Sequence, residues 1–273
     1  DQQYYRKDIY DALGLTVAET VDEHWDIARK TTDAAKGQAG YGLRGADGTG
    51  FGYNVMNILH AEGITFTDFK GGSDLDSPLA IETMKKIAEL YYDGITNKTA
   101  IQDRFPQMVA MFQQGKITQW AAATVHYGML RGEDGEFADL IGVAPHLKGK
   151  GGQKAPVQPN GFIMMKHTKE PAAAGEFMEF LGMPKQVGAM AAIVSFAPSL
   201  KSLATAKFVL DNPAIKMSMD LAPYYSSYPV LHKNWTKMKQ DIAPTLWQRV
   251  LLKEITVEEM AEELADLMRE PSP

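Results

Sequence analysis

The sequence predicts an α/β fold, and three observations support this prediction. Segments with strand character (118–123, 141–144 and 161–165) alternate along the chain with amphipathic helical segments. The composition is that of an ordinary globular protein, with 45% hydrophobic and 23% charged residues. The 273 residues contain no internal repeat or low-complexity tract and suffice for one large or two modest domains. Fibrous, repeat and disordered architectures are therefore excluded.

The helices are predicted from apolar residues at 3.6-residue spacing and from the signals at their ends. The first helix covers 4–13 and ends at Gly14. Thr20 precedes Glu23 at the spacing of a capping box, which predicts a helix running to about residue 35. Ser77 before Pro78 starts another helix, which covers 79–92. The remaining predicted helices cover 53–61, 105–114, 170–181, 184–191 and 257–268, with a helical tail from residue 233 that breaks at Ala243–Pro244.

Strands are fewer than the length leads one to expect. Tyr41–Leu43 is predicted as a further short strand, which brings the total to four or five. That number is small for an α/β chain of 273 residues, so part of a sheet is expected to lie outside this chain. Met164, Met165 and Met190 lie in core-like patterns and are predicted to fill gaps in the core.

The composition and the absence of known motifs exclude several classes of function. The chain has no Cys, which excludes a disulfide scaffold, a thiol nucleophile, an iron–sulfur cluster and a Cys zinc site. A net charge of −6 argues against a nucleic-acid binder. No phosphate loop, nucleophile elbow or pair of metal-spaced histidines is found. Asp68, Asp74 and Asp76 match a calcium loop poorly and are predicted to be a solvated turn. No metal and no cofactor are expected.

A glycine-rich segment, 44–52, is the first candidate for binding chemistry. Its alternating glycines precede a predicted helix, but the nearest candidate for the acidic residue of a dinucleotide site is Asp68, and no predicted strand precedes it. Two interpretations remain: a flexible linker, or a cleft loop in which Arg44, Asp47 and Thr49 face a polar ligand.

Aromatic residues next to polar ones give the second signal. Trp120 ends a predicted strand and is followed closely by Thr124, His126 and Tyr127. Rings stack on the C–H faces of sugars, while polar side chains bond the hydroxyls, so this combination suits a polyhydroxylated ligand. A core position for Trp120 is the alternative. For the second aromatic cluster, 224–228, surface packing and ligand contact are both open.

The order of eight segments resembles the extracellular solute-binding proteins of ABC importers, in the group that includes maltose-binding protein. The matching segments, with the family's pattern in parentheses, are Tyr5–Leu15 (YNKDLFDKAGL), Thr20–Glu23 (TWDE, with Val21 for Trp), Tyr41–Leu43 (the strand before the ligand loop), Leu75–Pro78 with Ile87–Leu90 (NSPE…L), Met111–Lys116 (FxxGK), Asn160–Gly161 with Ala173–Leu181 (GG…AAWEFIKFL), Phe196–Ser199 (gxPs) and Leu251–Met260 (vLxGeiTpeEAl, with Lys253 for Gly). Leu43–Gly45 and Trp120–Val125 are similar to the sugar-alcohol branch, where the second segment reads WIDATV; Ala122 stands in place of its Asp.

The resemblance implies a periplasmic-binding-protein-like fold of type II, with two α/β lobes, a hinge and a cleft. It divides the chain into a C-terminal lobe (1–192), a hinge crossover with a return segment of the N-terminal lobe (193–227) and C-terminal helices (228–273). Most of the N-terminal lobe and a signal peptide are then expected to lie outside the sequence. Apolar surface on the return segment is expected to be exposed.

The implied function is capture of a sugar or sugar alcohol and delivery to the transmembrane subunits of an ABC permease. The protein is then a monomer in the periplasm or at the cell surface, and not an enzyme. A non-sugar solute such as glycerol phosphate is the alternative. A glycoside hydrolase fragment needs two carboxylates, and Asp47 is the only one placed in the cleft; an interaction scaffold is a third class. The implied ligand-binding residues are Arg44, Asp47, Thr49, Trp120, Thr124, His126, Tyr127, Asn160, Gly161 and Phe196.

Overall fold

The structure is a computed structural model that describes residues 2–157 and 159–271. The described strands are β1 (Gln2–Arg6), β2 (Gln119–Ala122), β3 (Ile141–Ala144), β4 (Lys148–Gly149), β5 (Gly152–Gln153), β6 (Ala155–Pro156) and β7 (Tyr225–Ser226). The described helices are α1 (Lys7–Ala12), α2 (Val21–Thr31), α3 (Gly48–Phe51, Gly52–Met56 and Asn57–Glu62 in succession), α4 (Pro78–Tyr92), α5 (Phe105–Gln113), α6 (Tyr127–Leu130), α7 (Pro171–Gly182), α8 (Pro184–Val194), α9 (Lys207–Leu210), α10 (Pro213–Asp220), α11 (Trp235–Lys237, Met238–Ile242 and Ala243–Leu251 in succession) and α12 (Val257–Arg269). None of these helices is long and apolar enough to cross a lipid bilayer.

A small antiparallel sheet, in the order β2-β1-β3, lies at the centre of the fold. Tyr4 on β1 pairs with Trp120 on one side and Val143 on the other. The predicted helix over 4–13 is therefore wrong in its first half, and only α1 is helical. Pairing on both edges and complete burial of Tyr4 outweigh the local periodicity, and an aromatic ring fits a central strand well.

Two hydrophobic cores lie around this sheet. The larger core holds α2, α3, α4, α11 and α12 together through side chains such as Trp25, Met84 and Trp247. The smaller core packs α5 and α10 against the sheet and contains Phe112, Trp120 and other residues. The chain combines these helices with a central sheet, as the predicted α/β class requires.

The helix starts that the sequence marks are confirmed. The Thr20 side chain accepts a hydrogen bond from the Glu23 N–H, and the Glu23 carboxylate accepts one from the Thr20 N–H, which completes the capping box of α2. Ser77 accepts from the Ala80 N–H at 3.3 Å and starts α4. These side chains satisfy backbone donors that a helix leaves free in its first turn.

A predicted strand and a predicted helix break are both wrong. Tyr41–Leu43 is extended but belongs to no strand, and only Tyr41 forms an isolated bridge, with Thr96. The predicted break at Ala243–Pro244 is absent, because α11 runs on through a π-helical turn over Met238–Ile242. The wider turn just before Pro244 accommodates a residue that lacks the N–H of an ordinary α-helix.

The stretch 159–208 packs poorly on the rest of the chain. The predicted strand over 161–165 is absent, and α7 has no buried residue. Met164, Met165 and Met190 are exposed, so their prediction as core residues is wrong. Large apolar side chains are exposed along this stretch and form what we call the open apolar face: Phe162, Ile163, Met164, Met165, Phe177, Phe180, Met183, Met190 and Ile193. The expectation placed exposed apolar surface in 193–227, and most of it lies earlier in the chain.

The stretch leaves the main body after β6, and the chain packs on the central sheet again at α10. Strand β6 pairs in parallel with β7, which follows α10, and we call this strand pair the neck. The Val157 N–H donates to the Ser226 carbonyl at 3.1 Å. His60 on α3 lies 2.8 Å from the Ser226 hydroxyl through its Nε2 atom, which ties the neck to the main body.

Candidate functional site

The glycine-rich segment forms the tightly packed start of α3. Asp47 is the N-cap, and its Oδ1 accepts from the Gly50 N–H at 2.8 Å. Its Oδ2 accepts from the Arg44 guanidinium at 2.7 and 3.2 Å. Both carboxylate oxygens are thus engaged, and the pair is largely shielded from water, with the Arg44 side chain 8% exposed.

Close packing explains the glycines at this helix start. A Cβ at Gly50 would lie 2.2 Å from the Arg44 carbonyl oxygen, and one at Gly48 would lie 2.4 Å from the Lys239 carbonyl oxygen. The segment therefore packs closely against Arg44 on one side and against α11 on the other. This packing argues against the flexible linker and favours a rigid loop that holds Arg44 in place.

Aromatic rings surround the Arg44–Asp47 pair. The guanidinium carbon of Arg44 lies 5.7 Å from the centre of the Phe105 ring, within cation–π range. The Phe105 and His126 rings are 4.2 Å apart, and the Tyr53 and His126 rings are 6.1 Å apart. We call these five residues the polar–aromatic cluster.

His126 is held in one tautomer as a neutral donor. The Ala123 N–H donates to its Nδ1 at 3.2 Å, so the proton of the neutral ring lies on Nε2. Burial, and next the positive charge of Arg44, lower the pKa of His126 to about 4. At neutral pH the imidazole is uncharged, and its Nε2–H donates to no described residue.

Tyr53 and Phe105 were not predicted from the sequence. The Tyr53 hydroxyl forms no hydrogen bond with the described residues, and burial raises the pKa of Tyr53, so the hydroxyl stays protonated. A signal existed for Tyr53, because it follows Thr49 by one helical turn on the helix that the glycine loop opens. Thr49 itself is half-buried and has no hydrogen-bond partner in the described part of the chain.

The prediction that Trp120 stacks on a ligand is contradicted, because Trp120 is 0% exposed and packs in the smaller core. The centre of its ring lies 5.7 Å from that of Phe105, so Trp120 packs against the cluster from the core side. Tyr127 is also buried and stacks on Tyr4 at 6.5 Å. The Thr124 carbonyl accepts from the Tyr4 hydroxyl at 3.3 Å. Thr124 and Tyr127 fix the turn that carries His126 and offer little surface to a ligand.

The other predicted residues lie outside the cluster. Asn160 and Gly161 are exposed at the start of the poorly packed stretch, and Phe196 is half-buried after α8. A Cβ at Gly128 would lie 3.8 Å from the Ser195 hydroxyl, which brings the Phe196 segment close to the turn after β2. In the second aromatic cluster, 224–228, packing dominates: Tyr228 is buried, and the Tyr225 hydroxyl donates to the Ser218 carbonyl at 2.5 Å.

No group of metal-binding side chains is found in residues 2–157 and 159–271. An open groove with a volume of about 570 Å³ runs along α4 and α12, beside Lys85, Tyr92 and Glu258. None of the predicted binding residues lines it. The polar–aromatic cluster instead offers hydrogen-bond donors beside aromatic rings, an arrangement that binds hydroxyl-rich solutes.

Solved structures with the same fold include sugar- and polyol-bound proteins. The maltose-bound MalE3 of T. maritima superposes with a TM-score of 0.81 and 21% identity, over 98% of this chain and 69% of that one. An ABC transporter solute-binding protein from Agrobacterium radiobacter K84 in complex with ribitol gives 0.76 and 21%, over 97% and 68%. One from Agrobacterium vitis S4 with bound D-mannitol gives 0.73 and 21%, over 98% and 69%.

These superpositions confirm the periplasmic-binding-protein-like fold that the resemblance implies. The sequence itself matches a family profile described as "Bacterial extracellular solute-binding protein" over residues 4–188. This match covers more than half of the chain and includes the polar–aromatic cluster. The chain therefore belongs to the bacterial extracellular solute-binding protein family.

Proposed function

We propose that this chain is the substrate-binding component of an ABC importer. It captures a sugar or sugar alcohol in a cleft and delivers it to the transmembrane subunits of the permease, in the periplasm or at the cell surface. The observation that carries this proposal is the polar–aromatic cluster, in which the neutral His126 donor lies between the Phe105 ring and the ring of Tyr53 that carries a hydroxyl. The solved relatives named above hold maltose, ribitol and D-mannitol.

Binding, rather than bond cleavage, fits the chemistry of the cluster. Hydrolysis of a glycoside needs one carboxyl group as the acid and a second as the base or nucleophile. Asp47 is the carboxylate of the cluster, and both of its oxygens already accept hydrogen bonds from Arg44 and Gly50. In its place the cluster presents fixed donors, which hold a hydroxyl without reacting with it.

The cleft itself is proposed to lie between this body and a second lobe. About a third of the length of each of these solved relatives has no counterpart in this chain, which spans 68–69% of them. The open apolar face provides the surface that such a lobe needs for packing. In this proposal residues 1–192 and 228–273 build mainly one lobe, and 193–227 includes the crossover and a return segment of the other.

Thermal unfolding with a panel of solutes tests the function. A solute present at 100 times its dissociation constant stabilises the folded state by about 2.7 kcal/mol. We expect a rise in melting temperature with at least one sugar or polyol, confirmed by calorimetric titration. An amino acid panel of the same size serves as the control. A protein that responds to amino acids and to no polyhydroxylated solute contradicts the proposal.

The Tyr53 hydroxyl is expected to contribute directly to solute affinity. Tyr53→Phe keeps the ring against His126 and removes one polar group, so affinity should fall about tenfold through the loss of one hydrogen bond. Tyr92→Phe is the matched control, because the Tyr92 hydroxyl bonds the Val250 carbonyl away from the cluster. Equal solute affinities of the wild type and Tyr53→Phe would show that the Tyr53 hydroxyl does not contact the solute.

The open apolar face is expected to bind a hydrophobic dye and to drive association of this chain. The side chains of Ile163 and Phe177 are 81% and 60% exposed, so replacing both by Lys should reduce dye fluorescence and self-association with little effect on unfolding. Leu252→Lys, at an exposed site on the main body, is the control. Sedimentation velocity and dye titration measure the outcome. A monomer with no dye response would mean that the face is covered in solution.

A further inference from the structure

Lys239, beside the helix start that carries the cluster, is a cation with no counter-charge among residues 2–157 and 159–271. It lies in the π-helical turn of α11 and is half-buried. A Cβ at Gly52 would lie 3.3 Å from its Cε and 3.9 Å from its Nζ, so the ammonium group approaches the residue next to Tyr53. It forms no ion pair and no hydrogen bond with the described residues.

The charges around Lys239 do not cancel. Arg44 is matched by Asp47 at 2.7 Å, so this pair contributes no net charge. Lys237 and Asp241, two positions away along α11 on either side, are both exposed, and neither pairs with Lys239. The start of α3 therefore carries one positive charge in excess, among the residues that the structure describes.

Removing an ammonium group from water is unfavourable unless an anion or several acceptors replace the water. Burial accordingly lowers the pKa of Lys239. A solute that brings a negative charge to this position removes the imbalance, and a neutral polyol does not.

This inference rests on the proposed function and sharpens it. We propose that Lys239 selects acidic carbohydrates, so that the natural solute is a polyhydroxylated molecule with a carboxylate or phosphate group. The acidic group binds the Lys239 ammonium beside Gly52, and the hydroxyls bind Tyr53 and His126. The cluster thus binds the polyol part of the solute, and Lys239 binds its acidic group.

Pairs of solutes that differ only in charge test the proposal. Calorimetric titrations of the full chain compare D-gluconate with D-glucitol, and glycerol 3-phosphate with glycerol. We expect the acidic member of one pair to bind about tenfold more tightly or better, because hydrogen bonds to a charged partner are the stronger ones. Which pair shows the difference distinguishes a carboxylate solute from a phosphate solute.

Lys239→Gln should abolish this preference and leave the affinity for the neutral member within about twofold. Lys237→Gln, an exposed lysine on the same helix, should keep it. Equal binding of acidic and neutral solutes, or a preference that survives in Lys239→Gln, overturns the assignment of Lys239 while the proposed function stands. Binding of none of these four solutes, nor of any sugar in the panel, overturns both.

Discussion

Lowering the pH from 7 to 4.5 is expected to cost the folded chain several kcal/mol of unfolding free energy. His24 and His146 are almost completely buried, and desolvation by burial lowers the pKa of each to about 3. His24 Nε2 and both ring nitrogens of His146 have no hydrogen-bond partner in the described structure, so no contact compensates a charge there. Both rings must therefore stay neutral in the folded chain.

The direction of the effect follows from proton binding. Below about pH 6.5 the unfolded chain protonates both histidines, and the folded chain does not until the pH approaches 3. The unfolded state thus binds more protons, and unfolding free energy falls as the pH drops through this window. The slope approaches about 1.4 kcal/mol per pH unit for each histidine. Two of them amount to much of the total stability of an ordinary domain.

Urea denaturation at intervals between pH 7.5 and 4.5 measures this slope. His146→Leu should flatten it by about one proton, and should not reduce stability at pH 7.5 by more than about 1 kcal/mol, because it removes two unpartnered nitrogens. His24→Leu gives a second, independent variant. His167→Gln, at an exposed position, controls for the loss of a histidine. A stability that is constant from pH 7.5 to 4.5 would contradict the prediction.

Local signals in the sequence predicted the helices well because their starts depend on neighbouring residues alone. Thr20 with Glu23, and Ser77 before Pro78, form the caps that their spacing indicates. The strands depend on partners far along the chain. Tyr4 pairs with Trp120, and this contact across 116 positions cannot be read from the residues around either one. For this reason the first strand was predicted as a helix.

The candidate site was predicted in part. Arg44, Asp47 and His126 do meet, because a glycine-rich helix start and the turn after a strand are both visible in the sequence. Trp120 was ambiguous, since an apolar ring next to small residues suits a core as well as a sugar. No pattern in the sequence marked Lys239 as a functional residue. Its significance comes from the absence of a partner among the described residues, which only the packing of α11 on α3 reveals.

Gly40→Ala is expected to destabilise the chain by about 3 kcal/mol or more, because the added methyl group has no free space at this position. A Cβ at Gly40 would lie 1.7 Å from the Ala28 carbonyl oxygen and 2.4 Å from its carbon, both in the backbone of α2. Gly40 cannot move away easily. Its N–H donates to the Ile95 carbonyl at 2.9 Å, and its own carbonyl accepts from the Thr118 hydroxyl at 2.8 Å.

The consequence extends to binding, because the chain runs from Gly40 directly into the extended segment that ends at Arg44. The Leu43 and Arg44 N–H groups donate to the side chains of Asn97 and Asn54 at 2.8 and 3.1 Å, and a shift of the segment strains both bonds. Solute affinity should therefore fall together with stability in Gly40→Ala. Gly175→Ala is the control, since a Cβ there meets nothing within 4 Å and Ala favours a helix by up to about 1 kcal/mol. Urea denaturation and titration of both variants separate the clash from a general effect of replacing glycine. Unchanged stability in Gly40→Ala would contradict the prediction and would show that α2 and this segment can move apart to make room for the methyl group.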